Sequence, residues 1–474
     1  MKVIILSCNT GEGHNTAGNA IIEGMRARGV EADMVNALEL MGVKRSKLIC
    51  GTYIKMVRKL PALFGFIYNL ALLTSTHRFK SVLYYVNKPS QDKLYDYIVE
   101  NDYDTVVLPH LFPAETITSI RKNKAITNFK CYAIATDYTC IPFWEDLEMD
   151  GIVIGHKSQL GEMVERGLDP KLLAPLGIPV SAKFAKAYDK AETRAKLGLG
   201  DAERIYLIMT GSMGFGNISA ILTPLLSACG ARDRVVVLGG RNEKLKSSLR
   251  AKYESERKLQ VVDFTTEVER YMAACDVLFT KPGGLSTSEA ATMGVPLIHT
   301  KPIPGVESRN AVFFSSLGMS IYEKNVPAMV RRAVELAGDE ARGEAAERSA
   351  DLVAARGEPL ARHSDDAALH AGQLRGDLDI VRHLLEETAG LLGLVLPRDA
   401  EEIQGIHIPQ ADVLELSLNF LRDGLRMLHL RDGRNNDVVF LGLLNVVLQA
   451  GLVDGQIDLA HGSLLLLLFV NIRI

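Results

Sequence analysis

The 474-residue chain lacks the features that would place it in a special class. Its six cysteines (Cys8, Cys50, Cys131, Cys140, Cys229, Cys275) form no C-x-x-C pair and no metal-ligand spacing. That excludes a zinc finger or a disulfide framework and fits buried thiols in a reducing cytoplasm. No run reaches the roughly 20 apolar residues of a spanning helix. The nearest is 438–453, sixteen uncharged residues interrupted by Asn445 and Gln449. Met1 to Leu6 is basic then apolar but too short for a signal peptide, so it reads as a first β-strand. The net charge of −3 disfavours a nucleic-acid partner. No D-x-D follows a strand, so the sequence requires no divalent ion. One absence is local: from Leu40 to Gln91 there is no Asp or Glu.

That acid-free stretch carries nine cations: Lys44, Arg45, Lys47, Lys55, Arg58, Lys59, Arg78, Lys80 and Lys88. Tyr53, Phe64, Phe66, Tyr68, Phe79, Tyr84 and Tyr85 are interleaved with them. Basic, aromatic and aliphatic residues together are the composition of a surface that lies on anionic lipid. A pair of amphipathic helices with solvated cations is the plainer reading. Fifty residues without an acid favour membrane contact through 44–88.

Elsewhere short apolar runs alternate with helical segments. Val3–Leu6, a glycine loop Gly11-x-Gly13 carrying His14, a helix from about 17 to 28 and a strand 30–35 make a β-α-β unit. The third glycine of a dinucleotide fingerprint is missing, Thr16 standing there, so that motif is weak although Asp33 follows at a suitable distance. Further strands are expected at 104–108 and 131–135. The second ends at Thr136-Asp137, on the same rim as His14, with Trp144 in the loop beyond. Trp144 reads equally well as a cover for a sugar face and as a core plug. After a linker near 180–189, strands at 204–209, 234–238, 260–264, 277–279 and 295–299 repeat the pattern. Two Rossmann-like halves of an α/β protein, 1–182 and 190–345, are therefore expected to face each other across a cleft. Residues 346–474 are an unassigned tail, expected to be mostly helical.

The most organised stretch is Lys281-Pro-Gly-Gly-Leu-Ser-Thr-Ser-Glu289. It reads as strand, glycine turn and helix start, with Ser286 as the expected N-cap. Such a helix start favours an anion. Glu289 falls one turn in, where a carboxylate can accept from a ribose diol.

Taken in order, Gly11-Glu-Gly-His14, Thr136-Asp-Tyr138 with Trp144, Gly177-Ile-Pro-Val180, Gly211-Ser-x-Gly214, Gly240-Arg-Asn242, Lys281-Pro-Gly-Gly284 with Glu289, and Pro304-Gly-x-Glu-x-x-Asn310 resemble one family. It is the monogalactosyldiacylglycerol synthase and processive diacylglycerol glucosyltransferase family, over about residues 1–340. More distantly, the chain is similar to the lipid-linked N-acetylglucosaminyltransferase of peptidoglycan synthesis. The resemblance implies an inverting GT-B enzyme that moves a hexose from a UDP-sugar to diacylglycerol, peripheral on the cytoplasmic face of a membrane. It implies that Glu289 holds the ribose, that Gly283, Gly284 and Ser286 lie near the diphosphate, and that Gly211 and Ser212 approach it from the other loop. Phe264 and Thr265 would contact uracil, and Glu307 and Asn310 would lie by the donor hexose. His14 and Asp137 would be catalytic and face the acceptor, with Gly13 and Trp144 lining its site. His14 suits a base near neutral pH, which Asp137 could orient or replace. The family usually has glutamine before Glu307, whereas this chain has Val306, so the donor sugar is left open. A UDP-sugar enzyme without a lipid acceptor, such as a 2-epimerase, and a non-catalytic membrane-bound UDP-sugar sensor are the alternatives.

Overall fold

The structure is a computed structural model. It describes residues 1–9, 11–40, 42–75, 91–123, 128–211 and 218–338, and the pairs 452–453 and 456–457. Within 1–338 lie two parallel six-stranded sheets. The first contains β1 (Lys2–Ser7), β2 (Glu31–Asn36), β3 (Thr105–Leu108), β4 (Lys130–Ile134), β5 (Gly151–Val153) and β6 (Leu173–Ala174). Their order is β2-β1-β3-β4-β5-β6. The second contains β7 (Ile205–Met209), β8 (Arg234–Leu238), β9 (Leu259–Val262), β10 (Val277–Thr280), β11 (Leu297–His299) and β12 (Ser320–Tyr322), ordered β12-β11-β10-β7-β8-β9.

The strand composition follows from burial on both faces. Val3 and Ile5 of β1 enter one apolar cluster, Ile4 and Leu6 the cluster on the opposite face. Tyr206 and Ile208 of β7 likewise face one core, Ile205 and Leu207 another. With helices on both sides the central positions of β1 and β7 are closed to water, which is why these segments read as continuous apolar runs. In each sheet the chain fills one side first and then crosses over. The crevices where such sheets hold ligands therefore open beyond the carboxyl ends of β1 and β3, and of β7 and β10.

The linker is tied to the second sheet by a buried charge. Asp276, fully buried before β10, takes Lys190 Nζ at 2.7 Å, Arg194 at 2.6 Å and the Ile205 amide at 2.7 Å. Burial works to raise this carboxyl, and Lys190, the Ile205 amide and Arg194 together hold it below its ordinary value. The two halves meet at a small apolar seam where Tyr138 and Ile178 pack with Ala291, Phe314 and Met319.

The acid-free stretch forms two helices, Val43–Lys59 and Pro61–Thr74, joined at Leu60. Tyr53, Leu60, Leu63 and Phe66 are 38–47% exposed, and Lys55 and Lys59 are exposed beside them. The second helix also touches the other half: a Cβ on Gly65 would stand 2.7 Å from Pro304 Cβ. Among the described residues no helix is long and apolar enough to cross a membrane. The rest of the basic segment, 76–90, lies outside the described residues. Of the tail 366–474, the described residues form one short antiparallel ladder, Leu452–Val453 against Gln456–Ile457. The helices expected there lie outside the described residues.

Candidate active site

His14 sits on a helix rather than on a loop. The helix runs Glu12–Arg26, five residues earlier than the sequence suggested, with extended Gly11 as its N-cap. Glu12 at the first position suits the positive end of the helix, so the glycines do not delay it. His14 is thereby held in the first turn, at the end of β1. Its Nδ1 lies 2.7 Å from the Pro109 carbonyl oxygen and 3.1 Å from Thr136 Oγ1. A carbonyl can only accept, so Nδ1 carries the proton and Nε2 keeps its lone pair. Burial lowers the His14 pKa, while Asp137 and the Pro109 carbonyl pull it upward. The imidazole is thus a neutral base with a fixed tautomer.

A second histidine stands beside it. His110 follows β3, and its ring centroid is 4.4 Å from that of His14, with the planes at 67°. The Phe112 amide donates to His110 Nδ1 at 3.0 Å. Burial, then the neighbouring His14, push the His110 pKa well below its ordinary value. No motif marks His110 or the residues around it just after the strand expected at 104–108. Their position at the carboxyl end of a switch-point strand was the signal.

Asp137, beyond β4, is partly buried, and its pKa is raised by burial, against the Asn310 hydrogen bond and the His14 charge. Asn310, which the resemblance places by the donor hexose, is fully buried. Its Nδ2 donates to Asp137 Oδ1 at 2.8 Å and to the Pro282 carbonyl at 3.1 Å, and its Oδ1 accepts from the Tyr138 amide at 2.8 Å. These bonds use both Nδ2 hydrogens within the protein and leave Oδ1 one lone pair.

The Lys281–Glu289 stretch does make strand, turn and helix. The helix is Gly284–Thr292, capped by Gly283 with no side-chain hydrogen bond. Ser286 is its third residue and not its N-cap, because both glycines already supply the turn. A Cβ on Gly283 would meet nothing nearer than Glu307 Oε1 at 3.9 Å, so space is open there. Gly284 is different: a Cβ would stand 1.9 Å from the Thr136 carbonyl oxygen, so only glycine allows the two halves to approach here. Gly13, on the facing helix, also borders open space.

Glu289 is 6% exposed, and its carboxylate has no hydrogen-bond partner among the described residues. Burial pushes its pKa up to about 8; Lys183 works against the shift and Glu269 with it. Glu307 is bound by Lys281 and accepts from the Ile303 amide at 2.8 Å. Gly211, after β7 with φ +70°, faces the Lys281 side chain, whose Cε would be 3.3 Å from an added Cβ. Ser212 and Gly214 lie outside the described residues. Phe264 follows β9 half exposed, with the Arg241 guanidinium 5.0 Å from its ring centre, and the Thr265 hydroxyl accepts from the Glu267 amide at 3.0 Å. Trp144 is 4% exposed and belongs to the core of the first half. Its large apolar ring fills that core, so it does not cover a sugar face.

Two parallel sheets whose switch-point ends meet at one seam, with a neutral histidine on one side and a glycine-started helix on the other, make the GT-B fold. The crystal structure of the glycotransferase of kitacinnamycin shares this fold, with a TM-score of 0.51 at 14% identity over 75% of this chain and 96% of that one. Residues 14–180 match the model of the monogalactosyldiacylglycerol (MGDG) synthase family. The chain is 25% identical over 343 residues to the processive diacylglycerol beta-glucosyltransferase of Bacillus pumilus (strain SAFR-032), covering 72% of this chain and 87% of the relative. The protein of that name from Bacillus licheniformis is 28% identical over 255 residues, 52% of this chain and 64% of its own length.

Proposed function

We propose that the protein is an inverting hexosyltransferase that moves a hexose from a UDP-sugar to diacylglycerol at a membrane surface. The observation that carries this reading is the His14 tautomer: Nδ1 is tied to the Pro109 carbonyl and Nε2 is left basic, near Asp137, in the crevice of the first sheet. Nε2 takes the proton of the acceptor hydroxyl as that oxygen attacks the anomeric carbon. The bond from the anomeric carbon to the diphosphate oxygen breaks on the opposite face, and UDP leaves with the electron pair. The first amides of the helix Gly284–Thr292 and the Lys281 ammonium offset the charge that develops there. The scheme uses no metal ion.

In this reading the unpartnered Glu289 accepts from the ribose hydroxyls, and the open space at Gly283 admits the diphosphate. Phe264 and Thr265 meet uracil through their backbone. Glu307, once shared between Lys281 and the sugar, contacts the donor hexose, and Val306 leaves that hexose unnamed. The open space at Gly13 receives the acceptor. The helices 43–59 and 61–74 place the crevice against the bilayer, with Lys55 and Lys59 meeting anionic headgroups. The names of the two Bacillus relatives support diacylglycerol as the acceptor and a hexose as the group transferred. The test is to incubate UDP-glucose or UDP-galactose with diacylglycerol vesicles and look for glycolipid. Product with either sugar is expected. UDP binding without product from either would contradict the lipid acceptor, and epimerised UDP-sugar would name the rival enzyme.

A further inference from the structure

Asn310 joins the two halves of the molecule at one point, and that point is beside the base. It belongs to the helix Val306–Ser316 of the second half, yet two of its three hydrogen bonds reach the first half, at Asp137 and at the Tyr138 amide. The third goes to the Pro282 carbonyl in its own half. The orientation of the amide is settled by its partners. The Tyr138 N–H can only donate and the Pro282 carbonyl can only accept, so Nδ2 must be the atom that faces Asp137. Asn310 is fully buried, and the seam around it is closely built: the Tyr138 ring stacks on Phe313 at 4.9 Å and meets Phe314 edge-on at 4.6 Å.

We propose that Asn310 is a positioning residue: from the donor half it aims the carboxylate of Asp137, in the acceptor half, at His14, so that the acid–base pair is complete only when the two halves are closed on each other. The inference rests on the reading of His14 and Asp137 given above. Its physical basis is that one Asp137 oxygen is held by Nδ2, which leaves the other to act on the imidazole. A carboxylate with neither oxygen held would sample several rotamers and stabilise the imidazolium less well. The groups that face Asp137 are His14 from the first helix, Lys281 after β10, Glu307 and Asn310 from the helix 306–316, and Tyr53 and Tyr68 from the acid-free helices. Among them Asn310 is the uncharged one that gives Asp137 a direct hydrogen bond and takes no part in proton transfer itself.

The test uses the full chain. Asn310→Asp keeps the shape but replaces the N–H donor with an acceptor, and Asn310→Ser removes the reach to Asp137. Three quantities are read: UDP affinity by calorimetry, kcat for transfer from UDP-glucose to diacylglycerol vesicles, and the titration of the His14 ring nitrogens by NMR in ¹⁵N-histidine-labelled protein. Expected are UDP affinity within about threefold of wild type, a kcat lower by about 10²-fold, in the range of an acid–base contribution, and a displaced His14 titration in both variants. Tyr138→Phe is the control, because it breaks the Tyr138–Ser288 hydroxyl contact of 2.6 Å across the same seam but leaves Asn310 in place. It should lower the melting temperature without moving the His14 titration. A wild-type His14 titration in folded Asn310→Asp or Asn310→Ser protein overturns the proposal. So does an equal displacement by Tyr138→Phe, which would make the effect one of seam packing alone. If wild type forms no glycolipid, the transferase reading fails, while the NMR titration still decides the role of Asn310.

Discussion

Glu289 shows how much one residue's setting can say. Its carboxyl has an ordinary pKa of 4.5 and a folded value of about 8. The sign is then fixed. Below pH 4.5 the carboxyl is protonated in both states, and its contribution to stability is fully present. As pH rises through about 8 the folded protein is forced to ionise a buried group, and that contribution is lost. At pH 7 the ligand-free protein therefore holds a proton on Glu289. A carboxyl can accept from both hydroxyls of a ribose with both oxygens only when it is ionised. UDP binding at pH 7 is expected to release close to one proton, measured by calorimetry in buffers of different ionisation enthalpy, and Glu289→Gln should abolish the release and weaken UDP binding. Buffer-independent heats in wild type would remove Glu289 from the ribose site. Its place one turn into a glycine-started helix was legible in sequence. Its isolation was not, because the elements that bury it are distant in the chain.

At the scale of elements, the strands expected from the sequence lie within a residue or two of those observed because their central positions are apolar and buried, whereas the short strands β5, β6 and β12 have too few apolar residues to stand out. Helix starts were less so. Gly11 and Gly283 cap helices without side-chain hydrogen bonds, so neither the early start at Glu12 nor the start at Gly284 announces itself by a Ser, Thr or Asp cap. The acid-free pair of helices was visible from composition alone, and its role can be tested apart from catalysis. Flotation with vesicles of phosphatidylcholine and phosphatidylglycerol should weaken when salt is raised from about 0.1 to 0.5 M, since screening shortens the reach of exposed charge. It should weaken again in a triple variant with Lys55, Arg58 and Lys59 changed to Ser. Flotation indifferent to both changes would move the attachment elsewhere in the chain.

For the molecule as a whole, the two-sheet fold could be read from a repeated β/α pattern, but the way its halves meet could not. Three features of the seam depend on residues far apart in sequence: Asn310 on Asp137, Gly284 on the Thr136 carbonyl, and Tyr138 in the Phe313–Phe314 corner. None has a local signature. The family resemblance implies Asn310 beside the donor hexose and Trp144 in the acceptor pocket. Tertiary packing gave both a structural task. His110 shows the reverse case, a residue next to the base that no motif marked. The central claim is that His14 removes the acceptor proton while the second half holds the nucleotide. One comparison tests it most directly: glycolipid formation by His14→Ala and by wild type, with UDP affinity measured on the same two preparations. Turnover should fall by at least about 10²-fold, the scale of a lost general base, with UDP affinity unchanged. A His14→Ala protein that makes glycolipid at the wild-type rate would contradict the account.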